Sequence, residues 1–193
     1  MHDLAFDVLV AGSGLSGPVA ACRLAELGVK GVAVAASAAG ATPVIAALNA
    51  SILPNRWGDT PDQHRLDTLA IGCSVNDEAL VKRMCDDAHR CVRLIEGWGV
   101  EFARVDGDYH RRHASGSTYP RSLCRTSEIV GVQIYRELRK WLEDHGVELI
   151  SNATCTDVLC DDNGVTGARL LVDGVPRVVV APVVIAAWGG AGS

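Results

Sequence analysis

A short apolar run leads into a glycine cluster at Asp7-Val8-Leu9-Val10-Ala11-Gly12-Ser13-Gly14-Leu15-Ser16-Gly17. An apolar run that ends in glycines is typical of a buried strand, so residues 6–11 are predicted to form a central parallel strand. Apolar residues then recur at helical spacing up to residue 27, and Gly28 follows where a helix end favours positive φ. A second apolar run at residues 32–35 completes a β-α-β unit.

The glycine cluster fits the pattern G-x-G-x-x-G between the predicted strand and the predicted helix. Gly12 would allow a tight turn, Gly14 would let a diphosphate approach the backbone, and Gly17 would let the helix lie close to the sheet. Free amides and the positive end of the helix dipole would then face the phosphates. This context predicts a dinucleotide site, although the same glycines can also serve a plain tight turn. The predicted contacts are Gly12, Ser13, Gly14, Leu15, Ser16 and Gly17.

The position that usually holds the ribose of a dinucleotide lacks an acid. An Asp or Glu is expected about 20 residues after the glycines, at the end of the second strand. Ala35 and Ala36 stand there, and the nearest acids are Glu26 and Asp59. Ser37 offers a weaker hydroxyl contact. No arginine neighbours this position in the sequence, which gives no support to a cofactor with a 2′-phosphate.

Two amphipathic helices are predicted farther along the chain. Residues 76–98 and 128–145 carry apolar positions three or four apart, and Ser74 and Asp77 have capping-box spacing before the first helix. Both helices are interpreted as scaffold. Their expected buried faces are Val81, Met84, Ala88, Cys91, Ile95 and Trp98 in the first and Val132, Tyr135, Leu138 and Leu142 in the second.

The last part of the chain is rich in strand patterns. Asn-Gly and Asp-Gly turns between β-rich runs predict a three-stranded antiparallel meander at residues 153–160, 165–172 and 177–181. A strand at residues 147–150 precedes it, and residues 183–187 predict another buried parallel strand. The predicted fold class is therefore α/β, with a parallel sheet and helices plus a three-stranded antiparallel β-meander.

Composition and charge exclude several classes of protein. The chain has 193 residues, 48% hydrophobic and 21% charged, which is the balance of one globular domain rather than of a disordered, collagen-like or coiled-coil protein. A net charge of −5 argues against nucleic-acid binding. The seven cysteines include no C-x-x-C pair, which argues against a disulfide framework and against zinc or iron–sulfur sites.

Targeting signals and isolated reactive side chains give mostly negative expectations. No leader pattern opens the sequence, so a cytoplasmic location is expected, and the uncharged residues 31–55 contain too much alanine to predict insertion in a membrane. His110 and His113 lack a third ligand, so no metal site is predicted. Cys155 and Cys160 are five apart on a predicted strand and so on opposite faces, where core packing is favoured over redox chemistry.

Taken in order, several segments resemble the flavoprotein subunit of fumarate reductase, succinate dehydrogenase and L-aspartate oxidase. They are the N-terminal run through Gly17, Asp67-Thr68-Leu69-Ala70 through Asn76-Asp77 into a helix ending Glu96-Gly97-Trp98-Gly99-Val100-Glu101-Phe102, the meander, and Val184-Ile185-Ala186-Ala187-Trp188-Gly189-Gly190-Ala191-Gly192. The similarity spans nearly the whole chain. It implies a Rossmann-like FAD-binding domain and an FAD-dependent oxidoreductase that passes hydride between the flavin and a dicarboxylate-type substrate.

The resemblance also assigns cofactor contacts. The family pattern A-T-x-x-A-x-G-G, which runs along the flavin, corresponds to Ala41-Thr42 with Leu48-Asn49 in place of the glycine pair. Members with covalent flavin carry a histidine just before that threonine, and because Ala41 stands there, the FAD is expected to be noncovalent. The closing strand usually reads A-T-G-G-x-G, and Trp188 replaces its threonine. Further implied cofactor contacts are Ala36, Ser37, Ala153, Thr154, Gly189 and Gly190, and Arg121 is an implied substrate-side contact.

The family continues for several hundred residues beyond the region of similarity. Residues 1–193 are therefore expected to be the N-terminal portion of an FAD-binding domain without turnover of its own, and no catalytic residue is predicted. Its expected partners are a dicarboxylate-type substrate and a missing C-terminal half or an electron-transfer partner. A noncatalytic nucleotide-binding or structural fragment that has lost FAD is the alternative, because three departures fall on cofactor contacts. A nicotinamide-dependent dehydrogenase is disfavoured by the absent acid and by the meander.

Overall fold

The computed structural model describes residues 4–73, 75–125 and 127–190. The chain divides into two compact units, one made of residues up to Pro43 together with those from Ile134 onward, the other of Val44–Gln133. In chain order the elements are β1 (Leu4–Ala5), β2 (Val8–Ala11), α1 (Ser16–Glu26), β3 (Val32–Ala36), a 3₁₀ turn (Thr42–Val44), β4 (Leu48–Asn49), α2 (Pro61–Ile71), α3 (Glu78–Gly97), β5 (Arg104–Val105), β6 (Asp108–Tyr109), β7 (Arg111–Arg112), β8 (Ser122–Leu123), α4 (Val130–Asp144), β9 (Glu148–Ser151), β10 (Ala153–Asp161), β11 (Gly164–Val172), β12 (Val175–Val180) and β13 (Val183–Ala186).

A parallel sheet of order β13-β2-β3-β9 forms the base of the first unit. Strand β2 is interior and at most 7% exposed at each residue, which confirms the predicted central parallel strand. Helix α1 connects β2 to β3 as the expected crossover, and Gly28 follows it with φ +80°. Strand β13 is parallel as predicted, but the expectation that it is buried is wrong, because it lies at the edge of the sheet and Val183 is 47% exposed.

The predicted meander is present as β10, β11 and β12, paired antiparallel in sequence order. Strand β1 adds a fourth, parallel strand beside β12, which the sequence did not predict. The core of the unit consists of small and branched side chains from the parallel sheet and the meander, among them Leu9, Ala33, Leu170 and Val179. Burying a side chain such as Leu170 stabilises the fold by about 1.5–3 kcal/mol, so this shared core fixes the position of the meander against the sheet.

Helix α2 in the second unit was not predicted. Thr60 caps it, since its Oγ1 accepts a hydrogen bond of 3.1 Å from the amide of Gln63, and Pro61 occupies the first turn. Pro61 suits that position because it lacks only an amide that has no intrahelical partner there. Helix α2 packs against α3, and the remaining strands of this unit form a small sheet, β4-β8-β7, and the pair β5-β6.

The two predicted amphipathic helices are present as α3 and α4, but parts of their predicted faces are wrong. In α3 Asp77 accepts a hydrogen bond of 3.0 Å from the amide of Leu80, whereas Ser74 lies outside the described residues. Its buried side chains are Val81, Cys85, Val92 and Ile95, followed by Trp98, whereas Met84 and Cys91 are exposed and Ala88 is half-buried. In α4 the buried side chains include Val130, Gln133, Ile134, Leu138 and Leu142, whereas Val132 is exposed and Tyr135 half-buried.

None of the helices in the described ranges is both long enough and apolar enough to cross a bilayer.

Candidate functional site

The carboxyl ends of four parallel strands meet at one edge of the first unit. From β2 the chain moves outward to β3 and then β9, and it returns on the other side of β2 with β13. The strand order therefore reverses between β2 and β13, and in open α/β sheets ligands bind outside the carboxyl ends at such a switch point. The loop that leaves β2 there is the glycine loop, Gly12–Gly17.

Two glycines of this loop are required by the fold itself. Gly12 has φ +119°, its amide donates a 2.8 Å hydrogen bond to the carbonyl of Ala35, and a Cβ there would lie 2.2 Å from the carbonyl oxygen of Ala187. A Cβ on Gly17 would lie 1.9 Å from the carbonyl oxygen of Gly12. Any side chain at either position would clash with backbone, so these glycines permit the tight turn and the close approach of α1, as predicted.

Gly14 is different, because space is open beside it. A Cβ at Gly14 would meet only the Thr42 Oγ1, at 3.9 Å. Among the described residues, the amides of Ser13 and Gly14 donate to no other atom, and Leu15 at the N-terminus of α1 provides no side-chain cap. Unpaired amides at a helix N-terminus, next to open space, are the environment that a phosphate group requires. The loop therefore fits the diphosphate of a dinucleotide.

The segment after β3 folds back onto the glycine loop. Thr42 is 4% exposed, and its Oγ1 accepts a 2.7 Å hydrogen bond from the amide of Leu15. The hydroxyl of Ser13 donates a 2.7 Å hydrogen bond to the carbonyl of Ala38. Gly40 lies close to the same loop, since a Cβ there would be 3.5 Å from the Gly14 Cα. These contacts hold the loop in one conformation and assign Thr42 a structural role in it.

A cavity of about 220 Å³ opens at the carboxyl ends of β3 and β9. Three of the residues predicted to contact the cofactor, Ser13, Ala36 and Ser37, line it, together with residues from α4 and β9 that the sequence did not indicate. Those additional lining residues include Tyr135, Arg139, Ser151 and Asn152. No carboxylate lines the cavity within the described ranges, so the missing acid at Ala36 is not replaced from another part of this unit.

Arg139 supplies the cationic side chain of this cavity. Its Nη2 lies 3.5 Å from the Ser151 Oγ, and Ser151 is the residue paired in register with Ala36. Its Nε donates a 3.1 Å hydrogen bond to Glu143, in a pair whose side chains are 42% and 54% exposed. A hydrogen bond to Tyr135 raises the pKa of Arg139 above its usual value. The chain thus brings an arginine to the position where the sequence showed none nearby.

The other predicted cofactor residues lie at several places in the first unit. Ala41 and Thr154 are exposed, whereas Ala153 is 2% exposed and belongs to the core. Gly189 and Gly190 are exposed and follow β13, whose continuation at Ala187 is joined to Ala11 by a 2.8 Å backbone hydrogen bond. They therefore follow a segment that passes beside Gly12, and a Cβ at either glycine would meet nothing within 4 Å.

Three departures from the family pattern have distinct environments. Ala36 ends β3. Trp188 is 57% exposed and borders a shallow hollow formed by residues 155–158. Leu48 and Asn49 form β4, which pairs with β8 in the second unit. The last two residues of the predicted closing motif, Ala191 and Gly192, lie outside the described residues.

Arg121 is a buried structural residue of the second unit. It is 1% exposed, and its Nη2 lies 2.8 Å from Asp59 Oδ1 and 2.7 Å from Asp67 Oδ2. Burial raises the pKa of Asp67, but hydrogen bonds from Thr118 and Gln63 and the charge of Arg121 lower that pKa overall. In this position the guanidinium is not accessible to a diffusing substrate, so the geometry gives no support to the predicted substrate-side contact.

His64 belongs to the same buried cluster. Burial lowers its pKa, the charge of Arg121 lowers it further, and Asp59 and Asp67 oppose that shift in part. The imidazole is 5% exposed, and its Nδ1 has no hydrogen-bond partner among the described residues. Protonation of this ring is therefore unfavourable in the folded protein.

The cysteine expectation was half right. Cys155 packs against the core and burial raises the pKa of its thiol, whereas Cys160 is exposed. They do face opposite sides of β10, since Cys155 pairs with the buried Leu170 and Cys160 with the exposed Val165. The expectation of core packing is therefore wrong for Cys160. Within the described residues no group of three or more His, Cys, Asp or Glu side chains is arranged so that it could hold a metal ion, either at His110 and His113 or elsewhere.

Comparison with known proteins agrees with this geometry. The pattern of the FAD binding domain family matches residues 7–193. L-aspartate oxidase of Streptomyces coelicolor is 32% identical over 98% of this chain and 34% of its own length. A fumarate reductase (CoM/CoB) subunit of Methanothermobacter marburgensis is 30% identical over 96% of this chain and 35% of its own length. The chain thus spans about a third of the length of these curated relatives.

Solved structures show the same fold. Mycobacterium smegmatis Sdh1 in complex with UQ1 matches with a TM-score of 0.87 and 27% identity over 100% of this chain and 35% of that chain. The open conformation of a flavocytochrome c3 fumarate reductase matches with a TM-score of 0.82 and 22% identity over 98% of this chain and 34% of that chain. The chain therefore belongs to the FAD binding domain family, in the group of fumarate reductase, succinate dehydrogenase and L-aspartate oxidase flavoproteins, whose cofactor is FAD.

Proposed function

We propose that this chain is the FAD-binding portion of a dicarboxylate oxidoreductase and that it holds FAD without a covalent bond. The observation that carries the proposal is the open space at Gly14, where a Cβ would meet only one atom, at 3.9 Å. The backbone amides of Ser13 and Gly14 next to this space would donate hydrogen bonds to the diphosphate of FAD. The cavity at the ends of β3 and β9 would take the adenosine end.

Noncovalent attachment is supported by the residues of the loop after β3. Ala41 precedes Thr42 and has no nucleophilic or ring nitrogen atom with which to bond a flavin. Thr42 is itself engaged with the amide of Leu15. Bound FAD supplies two-electron redox chemistry in which hydride is exchanged with a substrate. The role of this chain is to bind and orient the cofactor through the backbone amides of the glycine loop and the cavity at the strand ends.

The substrate class rests on the relatives. Their names specify L-aspartate oxidase and fumarate reductase, and both aspartate and fumarate are small dicarboxylates. The chain spans about a third of their length, and its buried Arg121 is committed to two carboxylates of its own. We therefore propose that the 193 residues alone bind FAD but do not turn over substrate.

The test is a titration of the purified 193-residue chain with FAD, followed by flavin fluorescence and by calorimetry. FMN is the matched control ligand, because it carries the same flavin but lacks the adenosine and the diphosphate. FAD should bind at a ratio of one per chain and be released on acid precipitation, and FMN should bind at least about tenfold more weakly, a difference of about 1.4 kcal/mol. Equal binding of FAD and FMN, or no binding of FAD, would contradict the proposal.

Turnover is measured separately, as reduction of fumarate by a reduced viologen dye. The isolated chain loaded with FAD should give no rate above free FAD. A clear rate that scales with protein concentration would contradict the proposal that the chain alone does not turn over.

A noncatalytic protein that keeps the fold without holding FAD is the second candidate. The specific observation in its favour is that two positions of the family pattern are altered, Ala36 at the end of β3 without a carboxylate and Trp188 after β13 with a side chain 57% exposed. The FAD titration separates the two candidates. A folded chain that takes up no FAD supports the second.

A further inference from the structure

We propose that Arg139 binds the adenosine ribose of FAD, as a hydrogen-bond donor that takes the place of the missing acid at the end of β3. The inference deepens the proposed function and rests on it, because the ribose enters this cavity only if the glycine loop holds the diphosphate of the same FAD.

The first observation is that the ribose lacks its usual partner in this cavity. In a typical dinucleotide site an acid at the end of the second strand accepts hydrogen bonds from the ribose hydroxyls. Ala36 ends β3 here, and the cavity lining contains no carboxylate in the described part of the chain. A hydroxyl enclosed by protein without a hydrogen bond costs free energy, so the ribose requires another polar partner. Because a hydroxyl accepts as well as donates, a donor side chain can fill this role.

The second observation is that Arg139 reaches the level of the missing acid. Ser151 is paired in register with Ala36, so the two residues stand at the same level of neighbouring strands. The Arg139 Nη2 lies 3.5 Å from the Ser151 Oγ, and all three residues line the cavity. Ser13 of the glycine loop lines it too, so the place for the ribose adjoins the place for the diphosphate.

The third observation is that the guanidinium is held in place and still has donors to offer. Its Nε donates to Glu143, an exposed side chain outside the cavity lining, and it also forms a hydrogen bond with Tyr135. These two residues lie four positions after and four positions before Arg139 on α4, so both hold the side chain against its own helix. A guanidinium has five N–H groups, so Nη groups remain for the ribose.

A ribose contact differs in its consequences from a purely electrostatic effect of Arg139 on the diphosphate. The ribose contact depends on the hydroxyls of the sugar. An effect of charge alone acts equally on nucleotides with and without the 2′-hydroxyl, and it weakens with salt. The register of Ser151 with Ala36 favours the ribose contact.

The test is displacement of FAD from the 193-residue chain by ADP and by 2′-deoxy-ADP, followed by flavin fluorescence. The two probes share the adenine and the diphosphate and differ by one hydroxyl. ADP should bind about tenfold more tightly than 2′-deoxy-ADP, as expected for a hydrogen bond from a charged donor. Arg139→Gln should weaken ADP about tenfold and change 2′-deoxy-ADP by about twofold or less. Lys140→Gln removes the same charge from the next position of α4, which is exposed and outside the cavity lining, and should keep the preference.

Two further measurements separate the contact from a structural effect. Exposed pairs such as Arg139 with Glu143 contribute little to stability, so Arg139→Gln should melt at nearly the same temperature and bind FMN, which lacks the adenosine, as the unaltered chain does. Ala36→Asp added to Arg139→Gln supplies the carboxylate of a typical site and should restore the preference for ADP.

Equal displacement by ADP and 2′-deoxy-ADP in the unaltered chain overturns the inference. Equal weakening of both probes by Arg139→Gln also overturns it, because that result assigns the arginine to the diphosphate. In both cases FAD still binds, so the proposed function stands. Absence of FAD binding to the unaltered chain removes the proposed function and this inference together.

Discussion

Replacing Gly14 by alanine should separate nucleotide binding from folding. The added Cβ would meet only the Thr42 Oγ1 at 3.9 Å, and Gly14 has no positive φ, so the backbone accepts a side chain there. A Gly→Ala change at a compatible position stabilises a protein by about 0.4–1 kcal/mol, because the unfolded chain loses freedom. The melting temperature of Gly14→Ala should therefore stay the same or rise slightly.

The same methyl group occupies the space through which the diphosphate must approach the amides of Ser13 and Gly14. Loss of one hydrogen bond to a charged group costs about 1.5–3 kcal/mol, which corresponds to a Kd for FAD roughly 10-fold to 150-fold higher. Fluorescence titration with FAD measures this change, and thermal unfolding of the same samples measures stability.

Two matched variants make the result interpretable. Gly97→Ala adds a methyl group at the end of α3 with nothing within 4 Å and should leave FAD affinity unchanged. Gly17→Ala places a Cβ 1.9 Å from the Gly12 carbonyl oxygen and should lower stability as well as binding. The reasoning is refuted if Gly14→Ala binds FAD as tightly as the unaltered chain, or if it loses stability as Gly17→Ala does.

Three further predictions concern the buried groups. Arg121→Met leaves two buried carboxylates without their cation, so it should lower the free energy of unfolding by about 3–5 kcal/mol and the melting temperature by about 10 °C. The control Arg83→Met removes a side chain that is 73% exposed and should change the melting temperature little. Burial lowers the pKa of His64 below its usual value of 6.5, so as the pH falls the unfolded state takes up more protons than the folded state. The free energy of unfolding, measured with urea, should therefore fall from about pH 7.5 to pH 5.5, and it should fall less in His64→Gln. Equal pH dependence of the two proteins would contradict this. Burial raises the pKa of Cys22 to about 12, so mass spectrometry after iodoacetamide treatment should find it unmodified while the exposed Cys160 is alkylated, and early modification of Cys22 would contradict its placement in the core.

The elements that the sequence predicted correctly are those with strong local signals. The run ending at Ala11, the glycine loop and the Asn-Gly and Asp-Gly turns each specify their own backbone conformation, so β2, α1 and the meander follow from them. Helix α2 also had a local signal, Thr60 with Gln63 three residues later and Pro61 between, but its weak apolar periodicity hid it.

Other details depended on tertiary structure. In α3 both Met84 and Cys85 suit an apolar stripe at helical spacing, and packing against neighbouring elements decides that Cys85 is buried. Strand β13 has an apolar sequence, but exposure follows from its place at the sheet edge, which local pattern does not encode.

The candidate site shows the same division. The conformation of the glycine loop could be predicted because six consecutive residues specify it. Arg139 could not, because it is more than a hundred residues from Gly14 in the sequence and only the tertiary fold brings α4 to the cavity. The buried cluster of Arg121 with Asp59 and Asp67 likewise joins residues far apart in the sequence, so no local pattern predicted it.

The most direct test of the account is an amide chemical-shift map of the isotope-labelled chain titrated with FAD. The account predicts the largest shifts at Ser13, Gly14 and the first turn of α1, with further shifts at Ser37, Ser151 and Gly189. Shifts confined to the second unit, or no shift at Gly14 while FAD binds, would show that the glycine loop does not hold the cofactor.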